Sequence, residues 1–107
     1  MNACGAMIMT TVSSRDDAAK LANALIEARA AACVQEVGIH SHYRWEGKTN
    51  SDPEILLLVK TAEDRVDFAV ETIKANHSYK VPEILVLSIA SGLEAYVQWM
   101  KDETRPS

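Results

Sequence analysis

Along this chain the hydrophobic positions switch between two periods, and each switch marks an element. Ala6 to Val12 is an apolar run of strand length, and Ser14-x-x-Asp17 behind it offers a hydroxyl N-cap with an acid in the first turn. Ala18, Leu21, Ala22, Leu25 and Ile26 then recur at helical spacing, with Lys20, Asn23 and Glu27 on the opposite side. This pattern predicts an amphipathic helix from Arg15 to about Ala30 with one face laid on a sheet. From Ala32 the period becomes two: Val37, Ile39, Ser41, Tyr43 and Trp45 share one face, while Glu36, His40, His42, Arg44 and Glu46 share the other. Gly38 marks a candidate bulge, and the stretch from Gly47 to Pro53 supplies turn chemistry for a hairpin. Ile55 to Val59 is continuously aliphatic, the mark of a central strand covered on both faces.

Thr61-x-x-Asp64 repeats the capping pattern before a second helical stripe, Val66, Ala69, Val70 and Ile73, which ends near Asn76 and gives way to a loop at His77 to Lys80. Pro82 opens a fourth strand whose apolar run is Ile84 to Leu87. Ser91-x-x-Glu94 caps a last helix carrying Leu93, Tyr96, Val97 and Met100 at i, i+3, i+4 and i+7. The order β-α-β-β-α-β plus a helix predicts an α+β, ferredoxin-like split β-α-β fold, with an antiparallel sheet bearing both main helices on one face. No linker or repeat divides the 107 residues, so a single domain is expected over 1–107, its core at about 7–100, with Met1–Ala6 and Lys101–Ser107 as frayed tails.

One strand is too long for its own domain. The fifteen positions from Ala32 to Glu46 extend about 50 Å at ~3.3 Å per residue, whereas the first helix covers only about 24 Å of sheet. The Tyr43 and Trp45 end is left uncovered, and an exposed hairpin with two large aromatics is an aggregation hazard unless another chain covers it. The expectation is an oligomer built by strand pairing; the alternative is that Gly38 folds the strand back onto its own sheet.

Composition narrows the function classes. A formal charge of −4 repels a phosphate backbone, so neither charge nor motif supports nucleic-acid binding. The longest apolar run is far short of a membrane span and no signal core follows the N-terminus, which points to a cytoplasmic protein with no membrane partner. Two cysteines, Cys4 and Cys33, are too few for a disulfide framework and read as free thiols. No Gly-rich phosphate loop, nucleophile elbow or nucleophile–base motif is present, so the chain reads as non-enzymatic and needs no organic cofactor.

Ala31-Ala32-Cys33-Val34, then Ser41-x-Tyr43-x-Trp45-Glu46-Gly47-Lys48, Leu58-Val59-Lys60-Thr61 and His77-x-Tyr79-x-x-Pro82-Glu83-Ile84 resemble, in that order and spacing, the CutA family of divalent-cation tolerance proteins. The resemblance covers Met7 to about Met100. It implies a ferredoxin-like subunit in a homotrimer similar in architecture to PII signalling proteins, with strands crossing subunit boundaries. It also implies a cytoplasmic role in tolerance of copper and other divalent cations. The alternative is a PII-like trimer that binds a small ligand or partner and needs no metal.

In copper-binding relatives the site is attributed to a cysteine on the first strand and two adjacent histidines before the Tyr-x-x-Pro-Glu motif; the matching positions here are Thr10, Asn76 and His77. The thiolate and one imidazole are absent, so the expectation is a divalent cation such as copper, weakly bound, with His77 the first ligand and the His40-x-His42 pair the second. The bland readings are a loop or helix-capping role for His77 and a solvated strand face for His40 and His42. Cys33 is a small buried hydrophobe or, if exposed, a soft ligand, and Met7 and Met9 are packing residues or weak thioether ligands. Tyr43, Trp45, Lys60, Tyr79 and Glu83 are expected to line an intersubunit cleft, Lys60 and Glu83 being alternatively an ion pair at the sheet end.

Overall fold

The structure, a computed structural model, describes residues 3–106. Its elements run β1 (Gly5–Val12), α1 (Arg15–Glu27), β2 (Cys33–Trp45), β3 (Lys48–Thr61), a single 3₁₀ turn (Glu63–Arg65), α2 (Val66–Asn76), β4 (Leu85–Ile89) and α3 (Glu94–Glu103). The four strands form one antiparallel sheet in the order β2-β3-β1-β4, the α+β split β-α-β arrangement that the periodicities predict. Ser14 caps α1 by accepting a hydrogen bond from the Asp17 N–H at 3.1 Å. Ala18, Leu21 and Leu25 of α1 and Ala69 and Ile73 of α2 close on Ile8, Val12, Leu57 and Val59, all essentially removed from water. This is the core, and it lies on one face of the sheet only.

Register identifies the other face. Met7 pairs with Lys60 and Leu87, Met9 with Leu58 and Leu85, and Cys33 with Lys60, so strand alternation puts these side chains opposite Ile8, Leu57 and Val59. α3 reaches only one end of this face: Met100 lies over Gly5, where an added Cβ would stand 2.6 Å from its terminal methyl, and Lys60 Nζ stands 5.7 Å over the Tyr96 ring. The rest is open, with Leu85 at 56% and Leu87 at 40% exposure. The two-faced cover expected for Ile55–Val59 is thus half met within one chain, since Leu57 and Val59 are buried while Leu56 and Leu58 are only partly so.

Several boundaries depart from the sequence reading. β2 and β3 pair without interruption from Cys33↔Lys60 to Trp45↔Lys48, through Gly38↔Ile55, so Gly38 is no bulge and does not fold the strand back. The hairpin turn is only Glu46-Gly47, both at positive φ (50° and 76°), and the polar stretch Lys48–Pro53 is strand rather than loop. Pro53 is accommodated because β1 joins β3 only from Ile55, leaving β3 a single neighbour there. Thr61 does not cap α2; its hydroxyl donates to the Ala30 carbonyl at 2.7 Å. Nor does Ser91 cap α3, whose N-cap is Leu93 with no side-chain hydrogen bond. Pro82 stays in the loop and β4 begins at Leu85.

The ends differ too. Ala6 is buried in β1, and residues 101–105 are tied down rather than frayed. Thr104 is buried with its hydroxyl on the Met100 carbonyl at 2.8 Å, and Arg105 grips both oxygens of Asp64 at 2.7 and 2.6 Å. Arg29, in the left-handed region at φ 57°, ends α1 and donates to the Arg105 carbonyl at 2.6 Å. Met1, Asn2 and Ser107, the outermost residues of the expected tails, lie outside the described residues.

Candidate functional site

Because β1 stops at Val12 while β2 and β3 run on, the hairpin stands clear of the sheet, and the segment 77–83 between α2 and β4 comes to face it. Between them lies a cleft of about 670 Å³, bounded by Ser41, Tyr43 and Trp45 on β2, Glu54 on β3, and Tyr79 and Glu83 on the loop side. Its polar groups hold one another in place. Tyr79 Oη donates to Glu54 at 2.9 Å, tying the loop to the hairpin, and Tyr43 Oη donates to Asp52 at 2.6 Å. Burial first, and then the bond to Glu54, push the Tyr79 phenol up to about 12; the bond to Asp52 is the main cause that raises Tyr43. At neutral pH both phenols are therefore protonated donors, and the cleft presents the carboxylates of Glu54 and Glu83 and the ammonium of Lys80 beside aromatic surface.

Of the residues expected at a cleft, Tyr43, Trp45, Tyr79 and Glu83 come together here and Lys60 does not. Lys60 lies at the opposite end of the sheet against Tyr96, so it neither lines the cleft nor pairs with Glu83. Glu54 and Asp52 are the functional neighbours that the sequence reading missed. The signal was present, since carrying the two-residue period of β2 back across a two-residue turn places Asp52 and Glu54 on the Tyr43 face.

His77 sits behind the loop. Its Nδ1 accepts the Tyr79 N–H at 3.0 Å and its Nε2 stands 2.9 Å from the Thr11 carbonyl oxygen, to which it must donate. Both ring nitrogens are thereby used, and a metal ion at either one would displace a bond that positions Tyr79. Asn76 turns its amide back onto the Thr72 carbonyl at 2.8 Å, and Thr10 is buried on the opposite face of β1 from Thr11, its hydroxyl unpartnered. The three positions matching the copper ligands of relatives therefore do not converge. Among the described residues no group of three or more His, Cys, Asp or Glu is placed to hold a metal ion.

His40 and His42 lie exposed on the other face of the hairpin, with His40 Nε2 2.8 Å from the Ser51 hydroxyl. Cys33 is half-buried on the open sheet face rather than sunk in the core, Met7 and Met9 are partly buried on the same face two strands away, and Cys4 is half-buried with its Sγ 3.4 Å from the Ile89 carbonyl. No helix among the described residues is long and apolar enough to cross a membrane.

A family profile described as CutA1 divalent ion tolerance protein matches residues 6–103. The chain is 44% identical over 99 residues to the divalent-cation tolerance protein CutA of Thermus thermophilus, covering 92% of this chain and 96% of that protein. It is 43% identical over 100 residues to the chloroplastic protein CutA of Arabidopsis thaliana, of whose length it spans 55%. Among solved structures, the Thermus thermophilus protein superposes with a TM-score of 0.90 at 43% identity, covering 94% of this chain and 99% of that one. A CutA of Archaeoglobus fulgidus, titled periplasmic, superposes at 0.91 with 32% identity over the same shares.

Proposed function

The chain belongs to the CutA1 divalent ion tolerance family, and from that premise we propose that it works as a homotrimer that raises tolerance to divalent cations, copper among them, by binding rather than by catalysis. The observation that carries the assembly is the sheet's second face. Val37, Tyr43, Trp45, Leu85 and Leu87 are each 40% or more exposed on it, an apolar surface that a lone soluble chain does not leave wet. The outer edges of β2 and β4 are also unpaired among the described residues. A head-to-tail contact between unlike edges makes a ring when its rotation closes, and this supports the reading of a trimer with strands crossing between subunits. The names of the relatives carry cation tolerance and no enzymatic activity.

A bacterial host deleted for its own family member, carrying this gene and challenged with Cu(II), tests the reading. Wild type restores growth at elevated copper, and a variant that cannot assemble does not. If wild type restores nothing, the tolerance reading fails.

The cleft itself favours a second reading, a PII-like trimer that binds a small ligand without metal. A volume of about 670 Å³ edged by two tyrosines and a tryptophan suits a small organic molecule. Thermal-shift screening of small metabolites with a chelator present separates the two, since stabilisation under chelation belongs only to this second reading.

A further inference from the structure

On β2 the side chains of residues i and i+2 rise from the same face, which places His40 and His42 side by side on the overhang. Their ring centroids are 5.2 Å apart, with the planes inclined at 43°. Two imidazoles on one ion, with metal–nitrogen bonds of about 2.0–2.1 Å and the ring centre about 1.2 Å beyond each nitrogen, have centroids roughly 4.5 Å apart at a right angle and roughly 5.2 Å apart at a tetrahedral one. The observed centroid spacing lies in that range. Ser51, directly across from His42 on β3, stands 2.8 Å from His40 Nε2. When that nitrogen donates to the hydroxyl, Nδ1 keeps its lone pair for a metal, the arrangement by which an outer hydrogen bond orients a ligating imidazole.

We propose that His40 and His42 form a two-imidazole chelate for a divalent transition cation, Cu(II) before Ni(II) or Zn(II), with Ser51 as a positioning residue and water completing the shell. The contrast with His77 is steric and electronic: its nitrogens are both committed, whereas this pair is exposed and has a nitrogen to offer on each ring. By strand alternation the pair rises from the face of β2 opposite Tyr43 and Trp45, although His42 also borders the cleft. The charged groups sharing its face are Arg44 at the hairpin tip and Glu36, which is occupied by Arg15 at 3.2 Å; Thr49, Ser51 and Pro53 of β3 are uncharged. For its biological use the site rests on the cation-tolerance reading. Its chemistry stands on the geometry alone.

The test is Cu(II) chloride titrated into the full chain, followed by calorimetry and by paramagnetic broadening of the histidine ring resonances. Wild type binds one Cu(II) per chain, and the His40 and His42 signals broaden before those of His77. His40→Asn and His42→Asn each weaken binding about tenfold or more, Ser51→Ala weakens it less and Ser51→Thr restores it, while His77→Asn leaves it unchanged. Affinity falls on acidification from about pH 7.5 to about pH 5.5, because protons compete for imidazole nitrogen. His40, His42 and Ser51 are exposed, His77 is part-buried, and circular dichroism melting confirms that each variant is folded. Wild-type affinity in the His40→Asn/His42→Asn double variant, or broadening of His77 first, overturns the proposal. Copper bound at this pair in a protein that fails to protect the host removes the tolerance reading and leaves the site. Protection by wild type with unaltered binding in the double variant does the reverse.

Discussion

Leu87→Asp is the sharpest test of how the open sheet face is used. Leu87 pairs with Met7 in β4 and points away from the helices, 40% exposed in the single chain. Complete burial of a leucine is worth about 1.5–3 kcal/mol, so covering the part still wet adds roughly 1 kcal/mol per chain. A carboxylate forced into a closed interface at the same place costs a further 3–5 kcal/mol or so, because it is desolvated without a partner. Its near neighbours are Met7, Leu85 and Ile89, and the closest cation in register, Lys60, is two strands away, about 9.6 Å at ~4.8 Å per strand. Over three copies the loss is roughly 12 kcal/mol or more, on the order of 10⁹ in the association constant. Light scattering on a sizing column at micromolar concentration reads the outcome directly. Wild type emerges at three times the 11.8 kDa chain mass and Leu87→Asp at the chain mass. Ile26→Asp serves as the control, since Ile26 is 44% exposed but belongs to α1 on the helical side; it stays with wild type. A Leu87→Asp protein that keeps the wild-type mass, or a wild type that is monomeric, refutes the argument.

Three further outcomes are expected. Because the Tyr79 phenol is raised to about 12, its contribution to stability is present in full below about 10, the ordinary phenol value, and is lost as pH rises through about 12; alkaline titration of Tyr43→Phe, which removes the other raised phenol, shows a late tyrosinate step that Tyr43→Phe/Tyr79→Phe lacks, and a late step surviving in the double variant sinks the assignment. Asp64 is held below the usual carboxylate range chiefly by its hydrogen bonds to Arg105, so the stabilisation is present above about pH 4 and disappears as pH falls through the lowered value; the stability gap between wild type and Arg105→Ala in urea narrows on acidification, and a gap independent of pH contradicts the pairing. Gly47→Ala meets no atom within 4 Å but must hold φ 76°, so it costs about 1 kcal/mol in denaturant titration through backbone strain alone, and a neutral substitution argues against the two-residue turn.

What could be read without a structure, and what could not, divides by the range of the forces involved. The strand and helix order followed from alternation and helical stripes, because which face a residue takes depends on its own position along a strand or helix. Ser14 behaved as its local pattern requires. Thr61 and Ser91 carry the same pattern and fail, since Thr61 is drawn to the Ala30 carbonyl thirty-one positions away, a competitor that the neighbouring residues do not disclose. Lys48–Pro53 reads as loop by composition and is strand because β2 continues beside it, so partner availability overrides propensity.

The functional residues divide in the same way. Tyr43, Trp45, Tyr79 and Glu83 are conspicuous in the linear motifs, yet their meeting depends on β1 ending early and on the 77–83 segment swinging across to Glu54. Lys60, next to the same motifs in sequence, is carried to the far end of the sheet because a strand separates its ends by the full length of the domain. His77 looks like a ligand when counted as a residue type; only the Tyr79 amide and the Thr11 carbonyl, brought to its two nitrogens by the packing of α2 against β1, make it a brace. His40 and His42 share a face by the strand period alone, but their spacing, and the Ser51 hydroxyl that fixes one ring, arise from the register of β2 on β3. Side-chain periodicity is a property of the backbone and is written locally. Which atoms occupy a lone pair is settled by contacts between segments distant in sequence, and these exist only after the sheet has formed.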